Sequence, residues 1–321
     1  MAKVFYLENI KKGLFKDTIV VIGYFDGVHV GHQKIISLCV ERARELGGSS
    51  LVFTFDRPPV NIIRRGLYKK LITSLEDKIE LIENMGVDYI VLARFDEEFS
   101  RLTPESFCRE VLLEKLGPKE VFVGEGFRFG RDAEGDNVFL GNFLSSYGVV
   151  LTTVPLYRVN GIIVSSTAVR EYLSKGDIEK VKKLLGRYPR ISGRVVKASG
   201  RGKKLGFPTA NIDVSDRFVI PRDGVYTGIV MIEDQKERFF CVVNVGNNPT
   251  FGGTKKWVEA HVLDFDRDMY GKKISIYFLK RIRDEIVFRD ESELVKQIKT
   301  DLSTARKYFS DEFSEEYMHS L

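Results

Sequence analysis

The sequence predicts two domains of different fold class: an α/β domain with a parallel sheet, then an antiparallel β-barrel or sandwich that ends in one helix. The chain has 321 residues, a length that favours two domains. Apolar runs typical of buried strands alternate with helical patterns up to residue 186, and strand patterns without helices between them begin after residue 188. We therefore expect two domains, 1–187 and 188–321.

The composition is that of an ordinary globular protein. Hydrophobic residues make up 43% and charged residues 30%, which supplies a core for each domain and excludes wholesale disorder. Cys39, Cys108 and Cys241 have no close pair, so they are expected to be buried free thiols rather than disulfides or zinc ligands. No secretory signal or apolar run of about 18 residues is found, and we expect a cytoplasmic protein without a membrane partner.

Basic residues exceed acidic ones by a small margin, 50 against 45, and the excess is spread along the chain. This balance offers no basic arm for nucleic acid. It is compatible with small polyanions such as nucleotides, because a few side chains aimed at a phosphate require little net charge. We expect small-molecule substrates, no nucleic-acid partner, and a monomer or weak homo-oligomer.

The first half of the sequence alternates strand and helix patterns. Residues 18–25 form a continuous apolar run rich in β-branched residues, which predicts a strand buried on both faces. From His32, apolar residues recur at helical spacing until Gly47 and Gly48, which suit a C-terminal cap. The same alternation predicts strands at 49–55, 89–95, 120–126 and 149–155 and helices at 74–86, 103–117 and 137–148. Such alternation favours a parallel sheet with ligands beyond the carboxyl ends of its strands.

The second half has a different period. Five predicted strands are separated by Gly, Pro, Asn and Asp clusters: ISGRVVKAS, GVYTGIVMIE, RFFCVVNVG, WVEAHVLDF and KKISIYFLKRI. A single amphipathic helix is predicted at 291–309. The boundary is expected just after the helical stretch DIEKVKKLLG.

The segment GYFDGVHVGHQ, residues 23–33, carries two of the four histidines of the chain. Gly27 and Gly31 allow a tight turn, and the helix that follows offers free N–H groups suited to phosphate, to which His29 and His32 could also donate. Two alternatives remain from the residues alone. A metal site would need a further ligand, and none lies nearby in sequence; the two histidines could also have a purely structural role.

This segment resembles the HxGH signature of the nucleotidyltransferase superfamily, and its extension GxFDGxHxGHQ is similar to that of bacterial bifunctional riboflavin kinase/FAD synthetases. Further segments match that family in order along nearly the whole chain: FTFDRPP, VGEGFRFGRDAEGD, SSTAVREYLSKGD, GKKLGFPTAN, PRDGVY, VNVGNNPTF, VEAHVLDFDRDMYG and RIRDEIVF. The resemblance implies a Rossmann-like nucleotidyltransferase domain and a riboflavin kinase β-barrel. It also implies that riboflavin is phosphorylated to FMN in the second domain and FMN is adenylylated to FAD in the first, with ATP and Mg²⁺ at both sites.

For the first domain, the resemblance assigns His29 and His32 to phosphate contacts. It places further residues in the ATP site, namely Gly23, Phe25, Gly31, Ser165, Ser166, Thr167 and Arg170. From the residues alone, a helix N-cap is the favoured interpretation of the Ser/Thr cluster.

Asp56, Phe127, Arg128 and Phe129 match positions that line the flavin and nucleotide pocket, although a pair of aromatic residues such as Phe127 and Phe129 is as commonly part of the core. Gly126 and Arg57 depart from the usual family pattern, and these departures bear on FMN binding rather than on the reaction.

For the second domain, the Gly- and Lys-rich loop 200–211, GRGKKLGFPTAN, lacks the order of a Walker A loop. The resemblance implies that it covers the ATP phosphates with Gly202, Lys204 and Gly206. Thr209 and Asn211 would hold Mg²⁺ through hard oxygen ligands, and the alternative is that TAN only begins a strand.

Strand alternation places Trp257, Glu259 and His261 on one face of a predicted strand. The resemblance makes Glu259 the general base for the riboflavin hydroxyl, and Arg283, in the matching segment RIRDE, is expected to contact flavin or phosphate. From the residues alone, Glu259 could also be an exposed strand residue paired with a lysine.

Two other functions remain as alternatives. Only the kinase could be fully active, with Gly126 marking a weakened adenylyl-transfer site. Class I aminoacyl-tRNA synthetases also use HxGH, but this sequence has no KMSKS-type segment and no basic stripe.

Overall fold

The structure, a computed structural model, describes residues 2–63, 69–197, 202, 205–247 and 256–313. The chain divides into two compact units, residues 1–166 and 167–321. The boundary at 187/188 stays a prediction. Lys204, expected in the ATP site, lies outside the described residues.

The first unit is built on a six-stranded sheet in the order β1-β4-β3-β2-β5-β6. All five neighbouring pairs are parallel, which confirms the predicted α/β class. The strands are β1 (Lys3–Tyr6), β2 (Thr18–Ile22), β3 (Ser49–Phe55), β4 (Tyr89–Ala93), β5 (Pro118–Gly124) and β6 (Val150–Val154). The four-residue edge strand β1 was not predicted, because its pattern is too short to stand out from a loop.

Helices connect these strands. They are α1 (Val30–Glu45), α2 (Pro59–Ile63), α3 (Leu75–Glu83), α4 (Glu97–Ser100), α5 (Pro104–Ser106), which continues as the π-helical segment Phe107–Leu116, and α6 (Asn137–Ser145). A short hairpin, β7 (Arg158–Val159) with β8 (Ile162–Ile163), precedes α7 (Ser166–Lys175) and α8 (Ile178–Leu185). The side chains of Ser74, Thr103 and Asp136 accept a backbone N–H at the starts of α3, α5 and α6.

Strand β2 lies at the centre of the sheet and is buried throughout. Val20 and Ile22 pack into one hydrophobic core, and Ile19 and Val21 pack into the other together with residues of α1 such as Ile36. The chain runs from β2 to β3 on one side, while β5 pairs with β2 on the other. The carboxyl end of β2 is therefore the switch point where ligands of open parallel sheets bind.

The second unit contains a closed barrel in the order β10-β13-β12-β11-β14-β9, so the predicted β-barrel is confirmed. Its strands are β9 (Arg190–Val196), β10 (Ala210–Asp213), β11 (Gly224–Ile232), β12 (Glu237–Asn247), β13 (Lys256–Val262) and β14 (Lys273–Arg283). The terminal helix α9 (Glu291–Glu312) follows. Val258, Ala260 and Val262 belong to the barrel core, as strand alternation predicted.

Cys39, Cys108 and Cys241 are buried free thiols, as expected. Burial raises the pKa of Cys39 and of Cys108 to about 12, which makes both poor nucleophiles. Among the helices of the described ranges, none has the length and apolarity to cross a membrane.

Candidate active sites

The first candidate site is the loop that leaves β2 and enters α1. The backbone φ angles of Phe25, Gly27 and Val28 are +57°, +83° and +37°. They lie in the left-handed region, which residues other than glycine rarely adopt. Such backbone persists only where surrounding structure holds it, and it concentrates at ligand sites. A Cβ on Gly23 would stand 2.6 Å from the Phe25 ring, so this tight path requires glycine there.

His29 is buried and acts as the N-cap of α1. Its Nδ1 accepts the backbone N–H of His32 at 3.1 Å, and the two imidazole rings stack with centroids 3.5 Å apart. A Cβ on Gly31 would stand 3.3 Å from His29 Nδ1, so glycine leaves room for this cap. The structure therefore brings both histidines together at the amino end of α1, where backbone N–H groups attract anions.

His32 presents a free hydrogen-bonding atom in this site. Its Nδ1 is buried and has no hydrogen-bond partner among the residues that the structure describes. Burial, helped by the neighbouring His29 and Lys78, lowers the pKa of His32 well below its ordinary value. At neutral pH His32 is therefore an uncharged imidazole, able to donate or accept according to its tautomer.

Asp26 organises the same loop, although sequence reasoning did not single it out. Its buried carboxylate accepts the backbone N–H groups of Ile72 at 3.0 Å and Thr73 at 3.3 Å. The Ser166 hydroxyl donates to the Asp26 carbonyl at 2.9 Å. The Ser166 hydroxyl hydrogen is thus used inside the protein, whereas the triphosphate contacts expected of Ser165, Thr167 and Arg170 stay predictions.

Asp56 lies directly after β3, at the same edge of the sheet as the histidine loop. Its carboxylate accepts the Phe95 N–H at 3.0 Å and pairs with Arg57 at 2.6 Å. Although burial opposes ionisation, these hydrogen bonds hold the pKa of Asp56 below its ordinary value. Asp56 is therefore a fixed anion whose position depends on Arg57, one of the two departures from the family pattern.

The other expected flavin residues follow β5. The rings of Phe127 and Phe129 stack with centroids 5.5 Å apart; Phe129 is a core residue and Phe127 is half-buried beside it. Arg128 lies 3.5 Å from Asp136. Gly126, where the family often has Asn or Asp, has φ of +76°, a conformation that Asn and Asp tolerate best among residues with a side chain. Glycine adopts this backbone without strain and brings no polar side chain to the position.

The second candidate site is formed by the loop before β10 together with β13. The backbone N–H groups of Leu205 and Phe207 donate to the Gly202 carbonyl at 3.1 and 2.9 Å. A Cβ on Gly202 would stand 2.5 Å from the Phe207 carbonyl oxygen, so this loop closes only with glycine. The Thr209 hydroxyl lies beside Gly202, since it would be 3.3 Å from that added Cβ.

Asn211 and Glu259 are direct cross-strand partners on β10 and β13, and Asn244 of β12 flanks Glu259 on the other side. Asn211 is buried, and its Oδ1 has no hydrogen-bond partner within the described part of the chain. Burial raises the pKa of Glu259. An acid and a carbonyl oxygen therefore share one face of the barrel, and TAN both begins a strand and supplies an oxygen without a partner among the described residues.

The side chain of Arg283 is bound to the terminal helix α9. Its guanidinium makes a two-pronged ion pair with Asp301 of α9, with Nε to Oδ1 at 2.9 Å and the second nitrogen to Oδ2 at 2.7 Å. Gln297 also donates to Asp301 at 2.9 Å. This arrangement fastens α9 to β14, and the flavin contact expected of Arg283 stays a prediction.

Two folds and two sites thus define a two-domain protein in which both domains present groups suited to phosphate chemistry. The family model described as FAD synthetase matches residues 11–168, and the model described as riboflavin kinase matches residues 185–309. These two matches agree with the order of domains that the sequence predicted.

Full-length relatives give the same result. The chain is 35% identical to the bifunctional riboflavin kinase/FMN adenylyltransferase of Escherichia coli strain K12, over 94% of this chain and 96% of that protein. It is 34% identical to the protein of the same description from Bacillus subtilis strain 168, over 92% and 93%. A crystal structure described as a macrolide-efflux protein from Streptococcus pneumoniae superposes with a TM-score of 0.83 at 30% identity, over 94% of this chain and 98% of that one. The chain belongs to the family of bifunctional riboflavin kinase/FMN adenylyltransferases.

Proposed function

We propose that this enzyme adenylylates FMN at the β2–α1 loop and phosphorylates riboflavin at the Asn211–Glu259 pair, using ATP in both reactions. The observation that carries this assignment is common to both sites. Each contains a buried polar atom without a partner among the described residues, His32 Nδ1 in one and Asn211 Oδ1 in the other. Buried polar atoms in folded proteins almost always find partners, so an unpaired one beside a glycine-shaped loop favours a bound ligand.

In the first site, an FMN phosphate oxygen attacks the α-phosphorus of ATP, the new bond gives FAD, and pyrophosphate leaves. The attacking oxygen is already ionised near neutral pH, so no general base is required. His29 and His32, together with the first N–H groups of α1, would stabilise charge on the α-phosphoryl group and on the leaving pyrophosphate. Asp56 and Phe127 would line the flavin side of this pocket.

In the second site, Glu259 accepts the proton of the riboflavin 5′-hydroxyl as that oxygen attacks the γ-phosphorus of ATP, and ADP leaves. A carboxylate with a raised pKa is a better base than an ordinary one, because its proton affinity lies closer to the operating pH. The loop through Gly202 and Gly206 would cover the phosphates, while the Leu205 and Phe207 N–H groups hold the loop closed.

The same site fits Mg²⁺. The cation prefers oxygen ligands, and the unpaired Asn211 Oδ1 would supply one without breaking a hydrogen bond; the Thr209 hydroxyl would supply a second. When bound, Mg²⁺ would neutralise the charge of the ATP phosphates. The chain's own residues would then orient the metal and the hydroxyl on one face of the barrel. We further propose a cytoplasmic enzyme whose partners are its small-molecule substrates.

The decisive experiment is a time course with purified protein, riboflavin, ATP and Mg²⁺, with the flavins separated at each time. FMN should appear first and FAD later, and a chelator of Mg²⁺ should stop both steps. The variant Asn211→Ala should require roughly 10-fold more Mg²⁺ for riboflavin phosphorylation, the scale expected when one member of a metal site is lost, while FAD formation from FMN keeps its Mg²⁺ requirement. Protein that makes FMN but no FAD would overturn the assignment of the first site.

A further inference from the structure

Lys78 is a buried lysine beneath the first site. It lies on α3 and keeps only 3% of its surface exposed. Its Nζ donates to the Phe55 carbonyl at 2.7 Å and to the Tyr24 carbonyl at 3.1 Å, and it lies 4.5 Å from the centre of the Tyr24 ring. Thr54 Oγ1 is 3.4 Å away and itself donates to the Tyr24 carbonyl at 3.0 Å.

These contacts join two loops that leave neighbouring strands. The last backbone hydrogen bond between the two segments runs from Gly23 N–H to the Phe53 carbonyl at 3.1 Å. Beyond it the segments diverge, one toward the histidines and the other toward Asp56. Lys78 bridges the two segments just before they reach these residues, so the spacing of the histidine loop and the Asp56 loop depends on this ammonium group together with the Thr54 hydroxyl.

The ammonium is also poorly neutralised. Its partners are carbonyl and hydroxyl oxygens, and it makes no ion pair with a carboxylate in the part of the chain that the structure describes. Burying a charge without a paired counter-charge is unfavourable unless something else compensates for it. A simple bridge between two carbonyls could have been made by a neutral donor.

We propose that Lys78 is a positioning residue of the adenylyl-transfer site: it fixes the spacing of the two loops and holds a positive charge that the phosphates of a bound substrate neutralise. This inference rests on the proposed function of the first site. It assigns Lys78 no contact with the substrate, because the ammonium lies below the loops and acts through them.

The groups around Lys78 determine its titration. Burial lowers the pKa of Lys78 to about 8, while Asp26 and Asp56 oppose that effect. The charge of Lys78 in turn helps to lower the pKa of His32 on α1. Tyr24 contacts the ammonium only through its ring and its carbonyl oxygen. In the free enzyme Lys78 is therefore about half protonated near pH 8. A polyanion in the site favours the charged form, so ATP binding should be accompanied by proton uptake.

The test measures protons taken up when ATP and Mg²⁺ bind at pH 8 without flavin, from binding heats in buffers of different ionisation enthalpy. The protein should take up as much as about half a proton per ATP bound at the first site, the fraction that a group of pKa about 8 lacks at that pH. Lys78→Met should abolish this uptake although its kinase site still binds ATP. Lys12→Met, at an exposed lysine, should retain it.

Lys78→Arg decides the question if the methionine variant does not fold. Its guanidinium stays charged at every pH studied, so it should form FAD within about 10-fold of the wild-type rate and show no proton uptake. The wild-type kcat/KM for FAD formation should decline above pH 8 as Lys78 loses its proton, and this decline should be absent in Lys78→Arg. Absence of uptake in the wild type, or uptake that is unchanged in the folded Lys78 variants, would overturn the proposal. Failure of the wild type to form FAD would instead overturn the proposed function of the first site.

Discussion

The two proposed sites present different chemical groups, and the reactions proposed for them account for the difference. The first is built on a loop of left-handed backbone and brings together imidazoles, helix-end N–H groups and a buried ammonium. The second is built on barrel strands and brings together a carboxylic acid and neutral oxygens. The FMN phosphate is an anion before it attacks, so its site needs positive potential and no base. The riboflavin hydroxyl must lose a proton, and the carboxylic acid of the proposed second site suits that step.

This comparison implies that damage to one site should spare the other reaction. The largest effect is expected at Glu259. Glu259→Gln keeps the size of the side chain but removes the proton acceptor, so kcat for riboflavin phosphorylation should fall by about 10²–10⁴-fold. FAD formation from added FMN should keep its rate. Both rates are measured by separation of the flavins, with Glu179→Gln as a control at an exposed glutamate of the same unit.

The pH dependence of riboflavin phosphorylation gives a second test of Glu259. Glu259 must be ionised to accept a proton, and burial raises its pKa. Phosphorylation should therefore be lost as the pH falls, at a higher pH than the value of about 4.3 for an ordinary glutamate. A kinase profile flat down to pH 4.5, or a wild-type rate in Glu259→Gln, would show that another group takes the proton.

His32 should give the next largest effect, in the other reaction. Removal of one positioned hydrogen-bonding group from a charge-stabilising site costs about 10²-fold in kcat. His32→Ala should show this loss in FAD formation, while riboflavin phosphorylation is unchanged. His261→Ala is the matched control, since that imidazole contacts the Pro208 carbonyl in the second unit at 2.8 Å. Equal losses in both reactions for His32→Ala would contradict the separation of the sites.

Sequence patterns predicted the fold where they were long and regular. The apolar run of β2 and the alternation around Glu259 both correspond to the structure, because burial on two faces and burial on one face leave different periods. The clustering of the histidines and of Asn211 with Glu259 was also predictable from their motifs. Strand β1 was not predicted, and β10 appeared only as the alternative interpretation of TAN, because four residues are too few to establish a period.

Lys78 was missed for a different reason. It occupies the second position of the spacing Leu75, Lys78, Ile79, Ile82, which is the apolar face of α3. A lysine on the apolar face of a helix was the signal in the sequence for a buried ammonium group. The many other charged residues of this helix instead suggested that the lysine is exposed to solvent. The ion pair of Arg283 with Asp301 had no such signal, because the pairing of β14 with α9 depends on how the barrel closes.

The smallest effect separates stability from catalysis at that ion pair. Asp301 is almost fully buried, with 5% of its side chain exposed, and the Arg283 side chain keeps 18%. Loss of one partner of a buried pair is typically unfavourable by about 3–5 kcal/mol, and we expect about 2 kcal/mol for Asp301→Asn because Arg283 still reaches solvent. The second unit should unfold at lower temperature in calorimetry, while the KM for riboflavin stays the same if Arg283 serves only to hold α9. An increase in that KM at a temperature where the variant is fully folded would instead place Arg283 at the flavin, and the comparison of the two sites would then gain a cation on the kinase side.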